Sequence, residues 1–143
     1  MIMRDIHILL TEDCAGDTQV TDRALKKNNL IKLLYMRNGW GSLDYLIGEG
    51  IYAGKLIRNL PHVILLNLKM PGLDGIEVMR RLKSDVRTKN IPVVVFSSSK
   101  KIWIYKCYRR GANGYLVEPW EFEAFYNAIL GPAFWMNINQ AFR

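Results

Sequence analysis

Five short apolar runs, each followed by a longer helical pattern, constrain the fold of this chain more than any other feature. The runs are Ile6–Leu10, Ile31–Met36, Val63–Asn67, Pro92–Ser97 and Tyr115–Val117; the helical patterns lie near Asp17–Asn28, Gly41–Ile47, Asp74–Ser84, Lys101–Gly111 and Glu121–Met136. A run such as Val63-Ile64-Leu65-Leu66 has no polar alternation, so it reads as a strand covered on both faces. Strands alternating with helices predict βαβ units and a parallel sheet. Right-handed crossovers then put helices on both sides. The expectation is one small doubly wound α/β domain over residues 1–143. Asp17 and Asp74 are the expected helix N-caps, and Gly111 and Gly114 bracket the turn into the last strand. The glycine-rich stretch 48–61 reads as a long loop, and its role stays open between partner binding and a tolerated surface insertion.

Half of the residues are hydrophobic and 23% are charged, ordinary for a domain with a sizeable core. No apolar stretch reaches the roughly 18 residues of a membrane span. The first ten residues lack a signal-peptide layout, because Asp5 and His7 interrupt the apolar run. The expected location is the cytoplasm. The two cysteines, Cys14 and Cys107, form no CxxC pattern, so both are expected to be reduced and to hold no zinc.

The net charge of +7 suits an acidic partner or nucleic acid, or basic residues spread over solvated faces. One segment concentrates it: residues 99–110 hold five basic residues, three aromatics and no acid.

Reactive groups of an open parallel sheet gather at the carboxyl ends of its strands. Here those ends carry Glu12 and Asp13 after the first strand, Asn67 at the end of the third, Ser97 at the end of the fourth, and Glu118-Pro119 after the fifth. Taken singly, each is a loop or capping residue; together they outline a site. A hydrolytic serine is disfavoured, because His7 and His62 lie at strand starts on the opposite edge.

Four segments carry a resemblance: Ile8-Leu9-Leu10-Thr11-Glu12-Asp13, LLNLKMPGLDG over 65–75, IPVVVFSSS over 91–99 and GANGYLVEP over 111–119. Together they resemble the receiver domain of two-component response regulators, across nearly the whole chain. The stand-alone, phytochrome-associated members are the most similar. Their mark is Arg23-Ala24-Leu25-Lys26-Lys27-Asn28-Asn29-Leu30, Leu43-Asp44-Tyr45-Leu46, and the loop ending Arg58-Asn59-Leu60-Pro61. The resemblance implies a flavodoxin-like sheet of five strands. In active members an acid pair holds Mg²⁺ and an aspartate takes a phosphoryl group from a histidine kinase. A hydroxyl and a lysine contact that group, and an aromatic relays the change. Glu12 and Asp13 match the acid pair, Ser97 the hydroxyl and Tyr115 the switch aromatic. The Glu118-Pro119 bond is expected to be cis, by resemblance.

Two positions depart from the pattern. Asn67 stands at the phosphoacceptor aspartate, and Glu118 at the lysine. An amide has a delocalised nitrogen lone pair and no charge, so it does not form an acyl phosphate. Glu118 repels a phosphoryl group where lysine would attract it. Two like charges ~4 Å apart cost about 4 kcal/mol at an effective dielectric of 20. The expectation is a degenerate receiver that acts by protein–protein contact without phosphorylation and is not an enzyme. No cofactor is expected, with Mg²⁺ held at most weakly by Glu12 and Asp13. Three alternatives for the acids stay open: a bound divalent cation, one carboxyl held protonated by crowding, or Glu118 turned outward or paired with Lys69 or Lys100.

The expected partners are a sensor histidine kinase or other two-component proteins. By resemblance the fourth helix, fifth strand and fifth helix meet them, which nominates Lys101, Trp103, Tyr105, Tyr108 and Arg109. A competing reading packs the apolar members of that helix on the sheet. The apolar C-terminal region, from Phe122 to Met136, suggests a homodimer. The alternatives are a still-switchable regulator using a metal or another acceptor, and a nucleic-acid binder using residues 99–110. Nucleic acid is the less favoured partner, and no membrane contact is expected.

Overall fold

The computed structural model describes residues 5–12, 15–26, 31–48, 60–68, 75–97, 106–117 and 123–124. Five strands are present: β1 (Ile6–Thr11), β2 (Ile31–Met36), β3 (Val63–Asn67), β4 (Val93–Ser97) and β5 (Gly114–Val117). Three helices lie between them: α1 (Ala15–Leu25), α2 (Gly39–Ile47) and α3 (Gly75–Ser84). A further helical turn, α4, covers residues 106–109. The strands pair in parallel in the order β2-β1-β3-β4-β5. This is the flavodoxin-like arrangement, whose strand order reverses beside β1 and β3.

The period of two along each strand divides the core into two layers. Ile6, Ile8, Leu10, Val63, Leu65, Val94, Phe96 and Leu116 pack on Leu25 of α1. Leu9, Ile64, Leu66, Val93 and Val95 pack on Leu43 and Leu46 of α2, on Val78, Met79 and Leu82 of α3, and on Cys107 of α4. Both β3 and β4 are buried along their whole length, as continuous apolar runs require. The edge strand β2 exposes Lys32, Leu34 and Tyr35. The Tyr35 hydroxyl donates to Asp22 of α1 and so ties that edge to its crossover helix; burial and the neighbouring carboxylate push this hydroxyl's pKa up.

The helix ends differ in detail from the expected ones. Helix α1 begins at Ala15, so Asp17 falls in its first turn instead of capping it. Asp74 lies outside the described residues. Helix α2 begins two residues before the expected Gly41, because Asn38 caps it: extended at φ −152°, it accepts the Gly41 N–H at its side-chain oxygen. Gly48, left-handed at φ 78°, ends it and donates to Asp44 O. Gly111, at φ 104°, makes the turn after α4 that sequence predicts. Lys83 of α3 clamps the amino edge of β4, donating to Ile91 O at 2.9 Å and to Asn113 Oδ1 at 3.3 Å. Among the described residues, no helix is long and apolar enough to cross a membrane.

Candidate functional site

The backbone register alone brings the ends of three strands together. Thr11 lies opposite Leu66, Asn67 opposite Phe96, and Ser97 opposite Val117. Glu12, Asn67 and Ser97 therefore stand at the carboxyl ends of three adjacent strands, β1, β3 and β4. All three are buried, at 3%, 8% and 1% exposure. Those values are low for an acid and an amide, and burial of such groups requires hydrogen bonds.

One of those bonds joins the two. The side-chain amide of Asn67 donates from Nδ2 to Glu12 Oε1 at 2.8 Å. A hydrogen bond to an ionised carboxylate is stronger than one between neutral groups. An aspartate at residue 67 would face Glu12 as a second anion, needing a cation or a proton between them. Asparagine supplies the donor and brings no charge.

The surroundings hold this geometry. The Glu12 N–H donates to Met36 O at 2.9 Å, and the Leu68 N–H to Phe96 O at 3.1 Å, so the chain is fixed just beyond both strands. Helix α3 abuts the end of β3 so closely that a Cβ on Gly75 would lie 2.5 Å from Asn67 O and 2.7 Å from Leu68 Cα. The Gly75 N–H donates to Leu68 O at 3.1 Å. On the other side the buried hydroxyls of Thr11 and Ser42 share a hydrogen bond of 2.6 Å, which seats α2 on the last residue of β1.

A hard cation takes oxygen ligands, usually several carboxylates. The atom that Asn67 turns toward Glu12 is an N–H donor, which ligates nothing. Among the described residues no three His, Cys, Asp or Glu side chains stand together as a metal site. With the Asn67 N–H on Glu12 Oε1, the pair suits a charge-assisted hydrogen bond better than a shared Mg²⁺, which would find a neutral amide in place of a carboxylate.

The remaining expected site residues fall into three groups. Tyr115 is half-buried against the α2–α3 side of the core. Tyr108 and Arg109 of α4 are exposed. Asp13, Glu118, Lys101, Trp103 and Tyr105 lie outside the described residues, as do Cys14 and the C-terminal run from Phe125 onward. Cys107 is buried in the core, and burial pushes its thiol up to about 11. His7 and His62 sit at the amino edge, as their positions at strand starts predict. The His7 N–H donates to His62 Nδ1 at 2.9 Å, and the rings lie 5.7 Å apart.

Three residues of α2 and its cap escape the reading of strand ends: Asn38, Ser42 and Trp40. Asn38 carries a legible signal, a capping residue ahead of an apolar helix. Ser42 carries none, because its partner Thr11 is 31 residues away.

The chain matches the response regulator receiver domain family over residues 8–130. It is 32% identical over 138 residues to the probable methanogenesis regulatory protein FilR2 of Methanothrix harundinacea, covering 94% of this chain and 86% of that protein. It is 30% identical over 132 residues to the response regulator Rcp1 of Synechocystis, covering 90% and 88%. A structure of Rcp1 in its Mn²⁺-bound form superposes with a TM-score of 0.71 at 29% identity, over 86% of this chain and 87% of that one. The bacteriophytochrome response regulator RtBRR superposes at 0.78 with 32% identity, over 96% and 90%. Some curated relatives are longer, and the chain spans about half their length. Receivers are in general non-enzymatic signalling modules that work with histidine kinases and other two-component proteins. The strand order, the polar strand ends and these relatives lead to one conclusion: this chain belongs to the response regulator receiver domain family.

Proposed function

We propose that this receiver is degenerate, a single unit over residues 1–143 that signals through protein–protein contact without being phosphorylated. The observation that carries this reading is the buried bond from Asn67 Nδ2 to Glu12 Oε1. The residue at the acceptor position spends its side chain as a hydrogen-bond donor to the acid that would otherwise help hold a metal. Its amide offers phosphorus no nucleophilic oxygen anion. Glu118, at the lysine position, adds repulsion toward any phosphoryl group. Ser97 then acts as a hydrogen-bonding residue of the strand end, and Tyr115 has no phosphoryl-dependent change to relay.

In this reading the protein has no enzymatic activity and requires no cofactor. Rcp1 has an Mn²⁺-bound form; here Glu12 and Asp13 hold Mg²⁺ weakly at best, because one anionic ligand of the site has become an amide. The protein works in the cytoplasm in a two-component, phytochrome-type pathway, competing for a sensor histidine kinase or for sister receivers. It pairs with itself through the C-terminal region and meets partners through Lys101, Trp103, Tyr105, Tyr108 and Arg109. It does not need nucleic acid or a membrane.

The test is intact-mass measurement after incubation with acetyl phosphate and Mg²⁺, and after incubation with a cognate kinase. The expected result is no phosphoryl adduct on the wild type and unchanged partner binding. A stoichiometric adduct, together with partner binding that depends on it, overturns the reading.

A further inference from the structure

The face formed by α2 and α3 carries an arrangement that the strand-end site does not use. Trp40 sits in the first turn of α2, two residues after the Asn38 cap, and is half exposed. The Arg81 guanidinium of α3 lies over its ring, 4.8 Å from the centroid. Arg81 is itself held, donating from Nε to Glu77 Oε1 at 3.0 Å. The Arg80 fork takes both oxygens of the same carboxylate, at 2.9 and 2.6 Å. One acid thus fixes two guanidiniums, and one of these fixes the indole. Arg37, exposed at the end of β2, adds a further cation on the chain entering α2.

A lone exposed apolar residue needs no explanation. Trp40 differs because one face of its ring lies under the Arg81 guanidinium, which Glu77 holds in turn. Fixed Trp and Arg side chains are the residues that dominate binding hot spots. Arg37, Arg80 and Arg81 outnumber the two acids of these elements, Glu77 and Asp44, so the face keeps a net positive charge. A second copy of this chain would bring the same arginines against their own kind across a two-fold axis. Nucleic-acid affinity rests on many aligned phosphate contacts, which this compact face does not provide. An acidic peptide segment satisfies both halves, carboxylates for the arginine rim and an apolar side chain for the indole.

We propose that the α2–α3 face centred on Trp40 and Arg81 is a docking surface for an acidic protein segment that carries an apolar anchor. The proposal is independent of whether Asn67 takes a phosphoryl group.

The test uses the full chain and a fluorescent Glu/Asp-rich peptide with one central leucine, followed by anisotropy, beside its Gln/Asn counterpart. The acidic peptide binds and weakens with salt, and the neutral one does not bind. Trp40→Ala, and separately Arg37→Glu with Arg80→Glu, raise Kd about tenfold or more. Trp40→Phe keeps most of the affinity. Lys32→Glu, on the exposed edge strand β2, changes Kd by no more than about twofold. Trp40 is exposed, so its variants keep the fold, checked by circular dichroism. Four results overturn the proposal: no binding of the acidic peptide, unchanged Kd in the Trp40 and Arg variants, a loss as large in Lys32→Glu, or tighter binding of oligouridylate to the same residues.

Discussion

The Asn67 amide and the Glu12 carboxylate meet as donor and acceptor, 2.8 Å apart, across the buried ends of β3 and β1. Replacing Asn67 by Asp, which restores the receiver pattern, turns that donor into a second anion. We expect Asn67→Asp to lose about 1–3 kcal/mol at neutral pH, the cost of leaving a buried polar group without its partner. Each carboxyl then raises the pKa of the other. The loss is present above that raised value and shrinks as the pH falls through it, when one proton bridges the pair. Millimolar Mg²⁺ recovers stability in Asn67→Asp by mass action and does little for the wild type. Urea midpoints with and without Mg²⁺, at neutral and mildly acid pH, check both effects.

Gly75 is the second structural requirement of the site. A methyl group there would overlap Asn67 O and Leu68 Cα, both backbone atoms that cannot swing aside. We expect Gly75→Ala to cost about 1–3 kcal/mol through overpacking, with the denaturation midpoint lowered and the m-value unchanged. Ser84→Ala, on the exposed C-terminal end of the same helix, is the control and costs far less.

How much of this was legible in the sequence depends on the range of the interaction. The sheet was legible because Val63–Leu66 and Val93–Phe96 have no polar position to turn outward, which only a sheet covered on both faces allows. The polar strand ends were legible for the same reason, since a strand end is a position along the chain. The partnership of Asn67 with Glu12 was not, because it joins residues 55 apart and depends on β1 pairing with β3. The Asp17 cap failed because α1 starts two residues earlier. In the sequence Trp40 is one aromatic among several; its distinction is Arg81, which only the packing of α2 on α3 brings to it.

Cys107 offers a test of the core. Its thiol is buried among the side chains of the α2–α3 layer, and burial pushes its pKa up to about 11. The thiolate is the reactive form. In a Cys14→Ser background we expect the native protein to react with a disulfide reagent at pH 8 at least about a hundredfold more slowly than a free thiol, and at the normal rate once unfolded. The linkage has a definite sign. The folded value is raised, so the contribution of this thiol to stability is full below the unfolded value of about 8.5 and is lost as the pH rises toward about 11. A fast native reaction would place Cys107 outside the core.

Glu77 governs the Trp40 face. The side-chain hydrogen bonds from Arg80 and then Arg81 hold its carboxyl down, from the ordinary 4.5 to about 2. A depressed acid stabilises the folded arrangement above its unfolded pKa, and that contribution is lost as the pH falls through the folded value. The Arg81–Trp40 contact should therefore persist through the range in which ordinary glutamates protonate and give way only near pH 2. The Trp40 indole N–H resonance, assigned by its disappearance in Trp40→Phe, follows this directly. In the wild type it should hold its position from about pH 6 to about pH 3 and move below that. In Glu77→Gln the resonance should already sit at the displaced position at neutral pH, because Arg81 has lost the carboxylate that aims it at the ring. A wild-type midpoint near 4.5 would mean that the two arginines do not hold Glu77 in solution, and that Trp40 is free of the network that fixes it.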